Sequence, residues 1–144
     1  MKNILILNGP NINMLGIREP EIYGSQTIRD LEGLCVEVGH HHDFRVDFRQ
    51  SNHEGVLVEW IQEACGLHDG LIINAAAYTH TSIAIHDALK LLHFPIIEVH
   101  LSDPKKREDF RHISYIEPLV TAVFAGHGMN GYKMALDKLA DLLS

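Results

Sequence analysis

Cysteine is scarce in this sequence: its 144 residues include only Cys35 and Cys65. Both lie inside helical patterns with no metal-type spacing nearby, so a pair of reduced thiols in a reducing cytosol is the expectation, with a cytoplasmic location. Basic residues are also in deficit, with 12 Lys and Arg against 19 Asp and Glu and a formal net charge of −7. Sequence-independent nucleic-acid binding needs a basic surface, so no nucleic-acid partner is expected. No apolar run approaches the length of a membrane span, and no membrane partner is expected. The chain opens almost directly on a strand, so no signal peptide is expected. There is no G-x-G-x-x-G after that strand and no Walker-type loop, the usual marks of nucleotide chemistry. Repeats, linkers and low-complexity segments are missing too. A length of 144 residues suits one domain, 1–144, with one sizeable core.

Short apolar runs alternate with amphipathic stretches. Ile4 to Leu7 reads as a first, buried strand. Thr27 and Asp30 predict a capping box for a helix through Val38, with Leu31, Leu34, Cys35 and Val38 on one face. Phe44, Val46 and Phe48 alternate as a second strand, followed by a helix carrying Val56, Leu57, Trp60, Ile61 and Ala64. Leu71 to Ile73 is the third strand, with a helix near Ser82 to Leu92 after it. Pro95 opens a fourth strand through Val99. A loop or short helix lies around Pro104 to Phe110, Leu119 to Ala125 is the fifth strand, and a last helix runs from about Gly131 to Leu142. Five β-α repeats imply a parallel sheet covered by helices on both faces. Right-handed crossovers leave few topologies, and a flavodoxin-like three-layer α/β sandwich with strand order 2-1-3-4-5 is the expected fold.

The loop after the first strand, Asn8 to Gly24, is too long for a strand-to-helix turn and carries two asparagines, an arginine and a tyrosine that a connection seldom needs. Other polar residues gather at the same expected sheet edge. The second strand delivers Gln50, Ser51 and Asn52, the third Asn74 and then His80, the fourth Glu98, His100 and Ser102, and the fifth Gly126-His127-Gly128. Ligands of open α/β sheets bind beyond the strand C-termini. Glu98 and His100 are two apart in a strand and share a face, so the carboxylate can orient the imidazole as an acid or base requires; the other reading is a histidine bonded at a strand end. Arg18 and Tyr23 form a second pair, in which the guanidinium favours the phenolate and lowers the phenol's pKa; the other reading is a surface arginine and a tyrosine closing the loop. His40-His41-His42 point in different directions at a helix end and read as a solvated terminus. Ser51 and Cys65 lack the base and orienter of a nucleophile, and Trp60 is expected in the core.

Together these motifs resemble type II 3-dehydroquinate dehydratase. The likeness is carried by Asn8-Gly9-Pro10-Asn11, Arg18-Glu19-Pro20, Tyr23-Gly24, Arg49-Gln50-Ser51-Asn52, Asn74 with Thr79-His80-Thr81-Ser82, Asp87-Ala88-Leu89, Glu98-Val99-His100-Leu101-Ser102, Arg107-Glu108 with Phe110-Arg111, Ser114-Tyr115 and Gly131-Tyr132. It runs collinearly over almost the whole chain. The resemblance implies a hydro-lyase without cofactor or metal, dehydrating 3-dehydroquinate to 3-dehydroshikimate through an enolate, in the shikimate pathway or in quinate breakdown. It makes Tyr23 the base, Arg18 its activator and Asn11 the holder of a water that stabilises the enolate. His100, oriented by Glu98, protonates the departing hydroxyl. Asn74, Leu101 and Ser102 bind substrate, the latter two partly through backbone N–H groups, and His80, Asp87 and Arg111 bind ring hydroxyls. It further implies trimers grouped into dodecamers, with Asp87 reaching a neighbouring subunit's site, and a mobile loop from Asn13 to Tyr23 that gates the reaction.

The sequence departs from the family's frequent residues at His86, Asp103-Pro104 and Ile113, none of which carries the chemistry. Lys90, Lys105 and Lys106 fall in surface patterns, so no buried Schiff-base lysine is evident. Two other classes stay open at this point. A flavodoxin-like phosphate or flavin module would need a phosphate loop after the first strand, where Pro10 removes a donor. A catalytically silent oligomeric binding protein would be favoured by loss of Tyr23, Arg18 or His100, and all three are present.

Overall fold

A computed structural model describes residues 1–17, 21 and 25–144 of the chain. Among the described residues, the strands are β1 (Lys2–Asn8), β2 (Phe44–Gln50), β3 (Gly70–Asn74), β4 (Ile96–His100) and β5 (Ala122–Ala125), and the helices are α1 (Ile28–His41), α2 (Glu54–Leu67), α3 (Ile83–Leu89) and α4 (Asn130–Leu143). All strand pairs are parallel and the order is β2-β1-β3-β4-β5, the flavodoxin-like order expected from the sequence.

The inner strands β1, β3 and β4 are buried because both of their faces are covered. Ile4, Ile6, Ile72, Ile97 and Val99 pack with Leu31 and Cys35 of α1 and Leu136 and Leu139 of α4. Leu5, Leu7, Leu71, Ile73 and Ile96 point the other way, against Leu57 and Ile61 of α2 and Ile85 and Leu89 of α3. Each such buried aliphatic side chain contributes about 1.5–3 kcal/mol relative to exposure. Burial raises the Cys35 thiol to about 12, with Glu32 nearby adding to the effect, so Cys35 stays a neutral core residue.

Helix α1 starts at the expected capping box. Thr27 Oγ1 accepts from the Asp30 N–H at 3.3 Å, and Asp30 Oδ2 accepts from the Thr27 N–H at 2.8 Å. At its other end His40 and His41 are exposed as expected, but His42 is bonded to Asp137 of α4 at 2.7 Å. Boundaries differ most from the sequence reading at the end of α1, which runs past Val38 to His41, at the end of α3 and at the start of β5. Helix α3 ends at Leu89, and Leu91 and Leu92 donate to carbonyls three residues back, tightening its last turn. The fifth strand begins at Ala122 because Pro118 lies in a 3-10 turn, Glu117–Leu119, that precedes it. Trp60 is half-buried against the α2 side of the core, and the Arg49 guanidinium sits 5.4 Å from its ring centroid.

Candidate active site

Five parallel strands end along one edge, and the loops beyond them enclose a cleft of about 200 Å³. Its walls come from Asn11, Ile12, Met14 and Leu15 after β1, Asn74, Ala76, Ala77 and His80 after β3, and His100, Leu101 and Ser102 at the end of β4. Pro104, Arg107 and Arg111 complete it from two 3-10 turns, Pro104–Lys106 and Asp109–Arg111. The chain carries seven more acidic than basic residues, yet no Asp or Glu is among the described residues lining this cleft, while two arginines and two histidines are. Such a lining attracts an anion.

Glu98 and His100 share the side of β4 that faces α2 and α3, as their spacing requires. His100 Nε2 lies 2.5 Å from Glu98 Oε2. The same oxygen accepts from Ser114 Oγ at 3.0 Å, and Ser114 Oγ accepts from the Ile116 and Glu117 N–H groups. Two backbone donors on the serine oxygen leave its own proton for the carboxylate. Glu98 is 1% exposed, so its charge acts on the imidazole with little screening. With Nε2 committed to Glu98, Nδ1 is the ring nitrogen offered to a ligand.

His80 is also held by a bond, Nδ1 to the Ile113 carbonyl at 2.7 Å. Burial first, then the nearby His100 and Arg111, depress its pKa below 6.5, against the upward pull of the Ile113 carbonyl. A neutral His80 that donates from Nδ1 presents a lone pair on Nε2.

The β1 loop is fixed by its neighbours. Asn11 adopts φ 71°, and its N–H donates to Asn52 Oδ1 at 3.0 Å. Gln50 Nε2 donates to the Gly9 carbonyl, Asn13 Oδ1 and Asn52 Oδ1, and the Tyr78 hydroxyl donates to the Asn52 carbonyl. Gly9 is required: a Cβ there would lie 2.4 Å from the Ala75 carbonyl oxygen.

Of the residues read from the sequence, Asn11, Asn74, His80, His100, Leu101, Ser102 and Arg111 line one cleft, and Glu98 stands behind His100. Gln50 and Asn52 brace the cleft without lining it. Asp87 is exposed on α3 and does not line its own chain's cleft. His127 borders a second cavity, of about 300 Å³, that shares His80, His100 and Arg111 with the cleft. Arg18 and Tyr23 lie outside the described residues. Sequence reasoning gave no role to Arg107, which lines the cleft with Nη1 3.4 Å from Ser102 Oγ, nor to Ser114 or the buried Tyr132. Only their presence in motifs pointed at them.

The geometry has close counterparts. The family model Dehydroquinase class II matches residues 2–140. The "3-dehydroquinate dehydratase 2" of Pseudomonas putida is 51% identical over 140 residues, covering 97% of this chain and 94% of the relative. The "3-dehydroquinate dehydratase" of Bartonella tribocorum is 55% identical over 140 residues, with the same coverage of 97% and 94%. The crystal structure of the type II dehydroquinase from Propionibacterium acnes superposes with a TM-score of 0.95 at 45% identity, covering 98% of this chain and 97% of the other. This chain belongs to the class II dehydroquinase family.

Proposed function

We propose that this protein is a 3-dehydroquinate dehydratase that eliminates water to give 3-dehydroshikimate without a cofactor. The observation that carries the reading is the cleft around His100, lined by two arginines and by no Asp or Glu among the described residues, with a buried carboxylate behind the imidazole. The substrate is a carboxylate bearing ring hydroxyls, which suits a cleft lined by two guanidiniums, Asn74, Ser102 and a neutral His80.

In this reading Tyr23, activated by Arg18, removes the proton beside the ketone. The charge that develops on the ketone oxygen is met by a water held at Asn11. His100 gives its cleft-facing proton to the departing hydroxyl, and Glu98 stabilises the imidazolium before that transfer. Asn74, Leu101 and Ser102 hold the carboxylate end, and His80 and Arg111 hold the ring hydroxyls. The role of Asp87 belongs to a neighbouring subunit's site, in trimers grouped into dodecamers; its exposure away from its own cleft supports this. The reading takes residues 1–144 as one domain at work in the cytoplasm, in aromatic biosynthesis or quinate breakdown. None of the described helices is long and apolar enough to cross a membrane.

Purified protein mixed with 3-dehydroquinate is expected to generate the conjugated-enone absorbance of the product. A folded protein that gives no signal overturns the proposal. Tyr23→Phe is expected to abolish turnover while substrate still binds, and borohydride with substrate is expected to leave the enzyme active, since no imine forms.

A further inference from the structure

A chain of hydrogen bonds runs beneath the cleft, and backbone groups fix its polarity at both ends. At one end the Arg49 carbonyl can only accept, and it takes a bond from Asn8 Nδ2 at 3.0 Å. Asn8 Oδ1 therefore faces the Tyr132 hydroxyl, 2.7 Å away, and must accept from it. At the other end the Ala76 N–H can only donate, and it gives its bond to Asn74 Oδ1 at 3.1 Å. Asn74 Nδ2 therefore points at the Tyr132 oxygen, 2.9 Å away, and donates to it. Neither amide can flip without setting donor against donor or acceptor against acceptor. Asn8 and Tyr132 are 0% exposed and Asn74 is 3% exposed, so water cannot rescue a reversed arrangement. Burial also raises the Tyr132 phenol above its ordinary pKa, which keeps its proton in place across the working range.

Asn74 is the one member of the hydrogen-bonded side-chain trio that lines the cleft. Its oxygen accepts from Ala76 and one of its amide protons goes to Tyr132. The other amide proton remains for a ligand. We propose that Tyr132 is a positioning residue: together with the Ala76 N–H it clamps Asn74, so that the second Nδ2 proton is offered to a ligand oxygen that accepts. The ligand group favoured there is a carboxylate or a hydroxyl presenting a lone pair. The inference rests on the dehydratase reading, in which Asn74 touches the substrate.

The test uses steady-state kinetics with 3-dehydroquinate on the full chain. Tyr132→Phe removes the acceptor that holds Asn74 Nδ2 and leaves the amide anchored by Ala76 alone, and KM is expected to rise about tenfold while kcat falls less than threefold, the loss of about one hydrogen bond. Asn74→Ala is expected to raise KM by a similar factor, and the double variant by no more than either alone, because the tyrosine acts only through the asparagine. Asn8→Ala removes the acceptor that orients Tyr132 without touching the cleft lining. It is expected to raise KM about fivefold, and it decides the matter if Tyr132→Phe does not fold. Unchanged KM in folded Tyr132→Phe or Asn8→Ala, or additive effects in the double variant, overturns the positioning role. Failure of the underlying reading looks different: the unmodified protein itself shows no turnover.

Discussion

Two regions of this molecule set arginine beside carboxylates, and they use it in opposite ways. At the β2 edge a single guanidinium, Arg49, is shared by two carboxylates: Asp47 at 2.7 Å and Glu63 at 3.4 Å. His68 adds a second bond to Asp47 at 3.0 Å. At the cleft Arg107 and Arg111 both border open space, with the exposed Glu108 2.9 Å from Arg111 and 3.8 Å from Arg107. The edge cluster, with two carboxylates on one guanidinium, braces a strand. The cleft arginines border a space that an incoming anion can enter. Access to that space, more than the presence of arginine, separates a binding site from a structural one.

The sharpest break in that comparison is catalytic. His100→Gln keeps a donor toward Glu98 but supplies no transferable proton, so kcat is expected to fall by about 10² to 10⁴ while the fold holds. Asp47→Asn at the edge is expected to leave kcat alone, and any comparable loss there would erase the distinction. Next in size, Arg111→Met should raise KM about 10- to 100-fold by removing a charge-assisted contact. Arg49→Met should lower the melting temperature and leave KM unchanged. A smaller effect concerns acid. The Arg49 hydrogen bond, with help from His68 and against the upward push of burial, holds the Asp47 carboxyl below its ordinary 3.8. A depressed folded-state pKa means that this stabilisation is present above 3.8 and is lost as pH falls through the folded value. The stability difference between the unmodified protein and Asp47→Asn, about 1 kcal/mol or less given solvent screening, should therefore shrink below that pH in thermal melts. Smallest of all, KM should rise about twofold as salt is raised to screen the cleft, whereas the melting temperature should barely respond.

What the sequence disclosed follows the range of the interactions involved. Ile4 to Leu7 was legible as a buried strand because both of its faces are covered, and the Thr27–Asp30 cap because its partners lie three residues apart. The Glu98–His100 pair was legible from strand alternation alone. The start of β5 was misjudged because an apolar Leu119 continues the pattern while Pro118 turns the backbone. The Tyr132 clamp was not legible: its partners lie 58 and 124 residues away, and only the fold brings three polar side chains into a dry space. Arg107 escaped for a similar reason, since a turn and not a periodic element carries it to the cleft. The resemblance named Arg18 and Tyr23, and their placement lies outside the described residues.

The Gly9 peptide has a consequence for how this protein can change. Its N–H donates to the Asn74 carbonyl at 2.8 Å, its carbonyl accepts from Gln50 at 3.1 Å, and its Cα faces Ala75 too closely for any side chain. Loops following three different strands are thus stitched through one residue. An insertion near any of these attachment points is expected to displace the other two. Variation in what the protein accepts must come instead from the outer turns that carry Arg107 and Arg111, whose spacing can be altered one segment at a time. A laboratory effort to retarget the cleft has its natural library there, with the floor left as inherited.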